Sequence, residues 1–576
     1  MKKNIEKIIN VLKDSGLFLL LLLGCILLFS STSLLIKVSI TKYHLIISTI
    51  TSTVLFFLLF KKKGVFNILI SIIIAVLMFG LAIFFSKNYI DLSWDGNTYH
   101  KDAVGLLKNG WNPIHENYID AYKRIDNRNM DYIGEEIEKT HGFWQSNYAM
   151  GTWLIASNIY SITNDIETGK AYNLLIIYIS FVLMLYILYK ASSNFVLSAI
   201  LALFTAINPI ILVQAFTYYN DGFMGNLLIL LVFLMISFND NKDIFDDKEF
   251  YISICSILMI IINTKFTGFA YAGIFCFIYY LIYLYTKYKN KMLKEVIKPT
   301  AIFAVTVIVS VLIVGFNPYV KNLTKHHQLF YPLQGKNKVD IVSYNQPNSF
   351  KNKSTFYKVG VSLFSRVTNS SKNYSVSITK KIPLTVYKSE FPYLAACDTR
   401  ISGFGVMFSG IIILSVIICT ICLIRLAIKK SKYFYLLLAP LGITVLLMTL
   451  ISESWWARYT PYLYLFPIIA LVLLLFENKY LKYTLFTLLS ILMIINLSYF
   501  IKYNTFVNYD HSKNILNNMN KISKDKDMVI IDDKNEFVGM MYNFEDRGFK
   551  FIISDKTSKK DKPLYKWIKY RYKDVK

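Results

Sequence analysis

Thirteen long apolar runs with almost no charged residues restrict this chain to a helical fold embedded in a membrane. A helix needs roughly 20 apolar residues to cross a bilayer, and inside hydrocarbon it satisfies its own backbone hydrogen bonds. The composition agrees, because 55% of the 576 residues are hydrophobic and only 17% are charged. We therefore predict an all-α polytopic membrane protein with about 13 transmembrane helices. The runs cover residues 17–36, 45–60, 64–86, 171–189, 195–213, 223–238, 251–264, 266–286, 300–317, 401–424, 433–451, 459–476 and 483–501.

The positions of lysine and arginine predict which side of the membrane each loop faces. Basic clusters such as Lys61-Lys62-Lys63 are typical of cytoplasmic loops. This orientation makes residues 87–170 and 318–400 two large extracytoplasmic loops of a multi-pass protein in the plasma (cytoplasmic) membrane. The less apolar segment 148–163 is expected not to span, and to lie as a juxtamembrane helix along the outer membrane surface.

The formal net charge of +26 comes from basic residues that flank the apolar runs or lie near the C-terminus. This distribution favours contacts with anionic lipids or phosphate-bearing substrates over contacts with nucleic acid. We therefore expect membrane lipids among the partners and no nucleic acid.

The chain divides into a membrane domain, residues 1–500, and a small extracytoplasmic tail, residues 501–576. In the tail the residue patterns predict a strand at Met528–Asp532, a short helix at Glu536–Asn543 and a second strand at Phe549–Ile553. We expect a small α/β unit appended to the membrane domain.

Two carboxylates follow directly on the third apolar run, in the stretch Asp91-Leu-Ser-Trp-Asp95. Carboxylates at the mouth of a membrane span are costly to place, so they are candidates for function. At the edge of a low-dielectric region, such a group can act as the general base for a hydroxyl or amine acceptor. The alternative is structural, since Asp95 precedes the amphipathic segment 98–108 and could cap that helix.

Three more ionisable residues lie at the same predicted membrane face. Asp221 and Lys265 are in short loops between apolar runs, and Arg458 follows two tryptophans expected at the interface. Ammonium and guanidinium groups bind phosphate, and carboxylates bind divalent cations, so Asp91 and Asp221 are candidate ligands for Mg²⁺ or Mn²⁺. The structural alternatives are a helix cap for Asp221 and snorkelling for Lys265. For Arg458 the alternative is an ion pair with Glu453.

These motifs resemble the type-C membrane glycosyltransferases (the GT-C superfamily), in particular bacterial aminoarabinose and protein-mannosyl transferases. The stretch Asp95-Gly96-Asn-Thr-Tyr99, followed by Gly110-Trp111, is similar to the acidic motif of their first outer loop. Many members carry a second acid where this chain has Gly96. Lys265, with Gly268 close behind it, and Trp456-Ala-Arg458-Tyr459 are similar to later elements of the family.

The resemblance covers most of residues 64–476 and implies a GT-C-like architecture with a polyprenyl-phosphate-linked sugar donor. It implies that Asp95 is the base that deprotonates the acceptor in an inverting transfer at the extracytoplasmic face. Asp91 is a second catalytic candidate, because it could compensate for the acid that is missing at Gly96. Lys265 and Arg458 then hold the donor phosphate. The remaining candidates for substrate binding are Asp221, Tyr99 and His100.

The resulting hypothesis is a membrane glycosyltransferase of cell-envelope polysaccharide or glycoconjugate synthesis, with a glycan, lipid or protein as acceptor. One alternative is a transporter or flippase for lipid-linked saccharides, which would carry charged residues in the middle of its spans. Another is a noncatalytic membrane protein of envelope assembly that docks partners on its large loops and tail.

Overall fold

The computed structural model describes residues 2–125, 142–240, 244–335, 338–373, 376–531, 537–565 and 568–573, and 72% of these described residues are helical. Within these residues, 10 helices are long and apolar enough to cross a membrane. The prediction of an all-α polytopic protein is confirmed at this level. The ten helices are Lys2–Leu35, Lys42–Lys63, Val65–Lys87, Ile166–Ser192, Asp221–Asn239, Phe266–Lys289, Leu293–Val314, Phe408–Ile428, Tyr433–Leu450 and Lys479–Lys521.

The predicted count of about 13 spans is higher than the 10 found in the described part of the chain. All the predicted runs do fall on helices, but three of these helices are short, broken or charged. The run 459–476 forms the short apolar helix Pro461–Leu474. The run 251–264 forms Asp247–Thr264, whose first turn carries acidic residues.

The third exception, the run 195–213, breaks because of an Asn-Pro pair. Its first part is the helix Phe195–Ala206, and its second part is Pro209–Gln214. The side chain of Asn208 accepts a hydrogen bond from the backbone N–H of Ile211 at 3.2 Å, which caps the second helix. Proline lacks the N–H that a continuous helix needs and is favoured at a first helical position.

Burial separates the centre of the helical bundle from its rim. In the helices Asp221–Asn239 and Ile166–Ser192, 89% and 78% of the residues in the apolar 18-residue stretch are buried inside the protein. Val65–Lys87 and Leu293–Val314 have only 22% buried. The apolar side chains exposed on these two outer helices fit a lipid environment. The central helices are therefore the rigid frame on which a site can be built.

The first loop, residues 87–170, packs onto one end of the bundle. Its expected juxtamembrane helix is present as Gly151–Thr163, which at 13 residues is too short to span. The helix packs into the protein, since every residue from Gly151 to Tyr160 is buried, and its position along the membrane surface stays a prediction. Asn158 contributes to this packing, since its amide donates a hydrogen bond to Ser30 Oγ of the first span at 2.8 Å. The other helical segments of this loop are Gly96–His100, Lys101–Lys108, Tyr118–Ile125, Phe143–Asn147 and Ile166–Ala171, the last leading into a span.

The second loop, residues 318–400, consists of short segments joined by turns. It returns to the same end of the bundle just before the span Phe408–Ile428. Its helical segments are Phe316–Val320, Lys321–His326, Ile341–Asn345, Asn348–Phe350, Thr355–Leu363, Lys388–Glu390 and Phe391–Leu394.

The tail contains a four-stranded sheet in the order β2-β1-β4-β3. Strand β1 (Met528–Ile531) pairs in parallel with β2 (Phe551–Ser554), and a short helix, Met541–Glu545, lies between them in sequence. This confirms the predicted strand-helix-strand order, although Asp532 and Glu536 lie outside the described residues. Strands β3 (Lys562–Tyr565) and β4 (Ile568–Tyr572) were not predicted; β4 pairs antiparallel with β1.

The tail has a hydrophobic core of its own and packs directly against the first loop. The helix Lys479–Lys521 runs without a break through the predicted boundary at residue 500. Ile90 of the first loop belongs to the hydrophobic core of the tail, and Leu92 packs against that core. Because side chains alternate along an extended segment, Asp91 between them points the other way.

Candidate active site

Four of the predicted residues meet at one end of the bundle. Arg458 Nη1 donates a hydrogen bond to Asp95 Oδ2 at 2.9 Å and lies 3.9 Å from Asp221 Oδ2. Asp221 in turn forms an ion pair with Lys265. Residues from four separate stretches, up to 363 positions apart along the chain, therefore form one charged cluster.

Each member of this cluster lies at or beside a helix end, where the chain leaves regular structure. Asp221 begins the helix Asp221–Asn239, and Arg458 lies in the single turn Ala457–Tyr459. Lys265 is the one extended residue between the helices Asp247–Thr264 and Phe266–Lys289. Helix ends can present side chains to a common space without interrupting backbone hydrogen bonds.

The cluster is buried on one side and partly exposed on the other. The side chains of Asp221, Arg458 and Lys265 are only 1%, 7% and 9% exposed. Asp95 is 21% exposed, and a further carboxylate, Asp398, is 24% exposed. A ligand would therefore reach the carboxylates first and the cations behind them.

Asp398 is a member of the site that the sequence reasoning missed. Its Oδ1 lies 3.4 Å from Arg458 Nη1, and its Oδ2 accepts a hydrogen bond from Arg400 Nε at 2.6 Å. The sequence did contain a sign of this role, because Asp398 lies just before the apolar run 401–424. Asp91 was selected for the same kind of position, just after the run 64–86.

Aromatic rings surround the two buried cations. The Arg458 guanidinium lies 4.9 Å from the centre of the Tyr219 ring, 4.7 Å from Trp456 and 5.0 Å from Tyr459. Lys265 Nζ lies 4.5 Å from the same Tyr459 ring. Such rings stabilise a cation but leave its N–H donors free for an anion. Arg458 Nε is buried and makes no hydrogen bond within the described part of the chain.

His100 borders the cluster as a neutral hydrogen-bond donor. Trp153 Nε1–H donates to His100 Nδ1 at 2.6 Å, which assigns the proton of the neutral ring to Nε2. Burial lowers the pKa of His100 to about 3, and the charge of Lys265 acts in the same direction. Tyr99 is half-buried, and its ring contacts His100 at 4.3 Å between centres. Burial raises the pKa of Tyr99, and the charge of Asp95 adds to the effect.

Asp91 lies beside the cluster, but its carboxylate is used inside the fold. It is fully buried, and its two oxygens accept backbone hydrogen bonds from Ser93 and Tyr218, each at 2.8 Å. The second bond fixes the loop that carries Tyr219 and Asp221. The predicted catalytic role of Asp91 stays a prediction, and these contacts favour a positioning role.

Gly96 is required by this arrangement. A Cβ atom at Gly96 would lie 2.0 Å from Asp91 Oδ2. A second acid at this position, as in many GT-C members, does not fit while Asp91 is in place.

The predicted metal pair does not form a metal site. Asp221 faces the Lys265 ammonium, and Asp91 faces backbone N–H groups, so neither carboxylate is directed at a shared cation position. Among the described residues, no group of three or more His, Cys, Asp or Glu side chains could hold a metal ion. The charge that a divalent cation would supply is carried here by Lys265 and Arg458.

A fully buried ionic network below the site was also missed. Lys101 Nζ contacts Glu167 Oε1 at 2.6 Å and Asn543 Oδ1 at 3.0 Å. Glu167 also pairs with Lys170, and it accepts a hydrogen bond from the backbone N–H of Asp91 at 3.0 Å. This network joins the tail to the segment that carries the carboxylates. It could not be found from sequence because its partners lie far apart along the chain.

No family model matches this chain, and no curated protein matches it.

Proposed function

We propose that this protein is an inverting membrane glycosyltransferase of the GT-C type. It moves a sugar from a polyprenyl-phosphate-linked donor to an acceptor at the extracytoplasmic face, in cell-envelope polysaccharide or glycoconjugate synthesis. The observation that supports the proposal is the contact of Arg458 with the partly exposed Asp95. A second buried cation, Lys265, belongs to the same cluster through its ion pair with Asp221.

The two cations bind the donor phosphate. Both are nearly buried, so their attraction for an anion is weakly screened by water. Arg458 retains an unused Nε–H donor, and Lys265 is held in place by Asp221. His100 adds a neutral Nε2–H donor near the same charges.

Binding of the phosphate prepares Asp95 for catalysis. In the free protein the carboxylate of Asp95 accepts a hydrogen bond from Arg458, so the oxygen that would take the acceptor's proton is already engaged. A phosphate oxygen competes for the same guanidinium and releases the carboxylate. Asp95 then becomes available only when the donor is present.

The proposed chemical step is a displacement at the anomeric carbon with inversion of configuration. Asp95 takes the proton of the acceptor hydroxyl, whose oxygen attacks the anomeric carbon from the face opposite the phosphate. The bond between that carbon and the phosphate oxygen breaks, and its electron pair leaves with the polyprenyl phosphate. The added negative charge on the leaving phosphate is stabilised by Arg458 and Lys265.

The distribution of charge supports an enzyme over a transporter. Ion pairs lie at the two ends of the bundle: at the site, and at the opposite end. At the opposite end Lys63 contacts Asp14 at 2.6 Å. Asp14 also pairs with Lys13, and Lys63 also pairs with Glu249. A translocation route for a charged headgroup would need charged side chains in the middle of the spans, between these ends.

The experiment is a transfer assay with the purified protein in proteoliposomes. A panel of radiolabelled undecaprenyl-phosphate sugars is supplied with cell-envelope acceptor fractions, and both transfer and lipid translocation are measured. Sugar transfer that is lost in Asp95→Asn, with membrane insertion unchanged, supports the proposal. Translocation without transfer supports the transporter, and neither activity supports an assembly role.

A further inference from the structure

Trp94 is an exposed tryptophan directly beside the proposed base. Its side chain is 46% exposed, whereas Trp111, Trp153, Trp455 and Trp456 are fully buried. Leaving an indole ring in contact with solvent costs free energy, and an exposed aromatic at a site is typical of a binding surface.

The tail holds the Trp94 ring from one side. Phe537 of the tail packs edge-on against it, with ring centres 5.4 Å apart and an interplanar angle of 77°. The backbone around Trp94 is fixed as well, because Gly539 lies so close to Asn97 that a Cβ would be 2.8 Å from the Asn97 carbonyl oxygen. The indole is therefore presented on a rigid support, with its remaining surface open.

The chemistry beside this ring fits a saccharide. Sugar rings have an apolar C–H face that packs on an aromatic ring, and hydroxyls that donate hydrogen bonds to carboxylates. Asp95, on the adjoining face of the same turn, supplies a partly exposed carboxylate. Asp398 supplies a second one at the open side of the cluster.

We propose that Trp94, supported by Phe537, binds a sugar unit of an oligosaccharide acceptor next to the unit whose hydroxyl reaches Asp95. This rests on the proposed function and narrows its acceptor from glycan, lipid or protein to a glycan. It also makes the tail a part of the acceptor site. The competing explanation is an interfacial anchor, which would place the indole at the lipid headgroups and within reach of a quencher carried by the lipids.

The test measures two kinds of binding on the full-length protein in lipid nanodiscs. One probe is a panel of immobilised bacterial-envelope oligosaccharides, and the other is undecaprenyl phosphate. The matched variants are Trp94→Phe, which keeps an aromatic face, and Trp94→Leu, which keeps only apolar volume. Phe537→Ala tests the support from the tail.

Wild type is expected to bind a member of the saccharide panel. Trp94→Leu should weaken that binding by about tenfold, Phe537→Ala by several fold, and Trp94→Phe should restore most of it. Binding of undecaprenyl phosphate should stay unchanged in all three variants. The inference is overturned if the panel gives no binding, or if Trp94→Leu binds saccharide as wild type does. It is also overturned if brominated lipids quench a Trp94 fluorescence component. If wild type does not bind undecaprenyl phosphate, the proposed function is contradicted, whereas the saccharide measurement still decides whether Trp94 binds sugar.

Discussion

Arg458 and Asp95 are hydrogen-bonded partners at 2.9 Å, although they lie 363 positions apart in the chain. The residue proposed to hold the donor phosphate is thus the residue that pairs with the proposed base. In the proposed mechanism, donor binding and activation of the acceptor are therefore coupled through the guanidinium group of Arg458.

This coupling predicts that Asp95→Asn binds the donor lipid more tightly while it loses transfer. Removing the carboxylate removes a competitor for Arg458, and we expect the Kd for undecaprenyl phosphate to fall by about threefold to tenfold. Thermophoresis in nanodiscs at low ionic strength measures the change. The control is Arg458→Gln, which should raise the Kd. Equal affinities of wild type and Asp95→Asn would contradict the competition.

The buried pair of Lys265 and Asp221 should be stabilising only as a pair. Either Lys265→Met or Asp221→Asn leaves a charge without its partner in a nearly dry site, and we expect a loss of about 3 kcal/mol in the free energy of unfolding. The double variant should lose less than the sum of the two. Thermal unfolding in detergent checks this through a double-mutant cycle, and additive losses would show that the two residues do not interact.

Gly96→Ala should be destabilised by the carboxylate of Asp91. The added Cβ would lie 2.0 Å from Asp91 Oδ2, so we expect a cost of about 1–3 kcal/mol. Shortening Asp91 to Ala in the same chain should remove part of the clash, so the double variant should be more stable than the sum of the single changes predicts. The midpoint of thermal unfolding measures all three variants. A Gly96→Ala protein as stable as wild type would contradict this packing.

Asp546 should make the stability of the protein depend on pH. Its carboxylate accepts hydrogen bonds from Tyr160 at 2.5 Å and from the Ile166 backbone at 2.7 Å, which joins the tail to the first loop. Burial raises the pKa of Asp546 to about 6. Because this folded-state pKa lies above the unfolded value of about 3.9, the stability from this group is full below about pH 4 and is lost as pH rises through about 6.

The melting temperature of wild type should therefore fall between about pH 4 and pH 6 by more than that of Asp546→Asn, whose amide does not titrate. The difference between the two proteins isolates this group from other carboxylates. Parallel curves would show that Asp546 does not titrate in this range.

The four main site residues could be predicted from sequence for one physical reason. Asp95, Asp221, Lys265 and Arg458 each lie close to an apolar run, where an ionisable group is expensive and therefore informative. Their order along the chain and their common predicted membrane face led to the hypothesis of one shared site. In the structure the four side chains do lie in one cluster.

The remaining features depend on tertiary contacts that no local pattern reveals. In the sequence, Glu167 and Lys101 look like ordinary charged residues of a loop. Only the structure shows that they are buried together as an ion pair. The role of Asp91 depends on the backbone of Tyr218, more than a hundred residues away. The break at Asn208-Pro209 lies inside an apolar run that is long enough to span, so the length of the run alone predicts one continuous helix.

The most direct measurement is a density map of the full-length protein with an undecaprenyl-phosphate sugar bound. The account predicts the phosphate within hydrogen-bond distance of Arg458 and Lys265, with the Asp95 carboxylate released from Arg458 and facing the anomeric carbon. A phosphate bound elsewhere, or an Asp95–Arg458 contact that persists beside the bound donor, would contradict it.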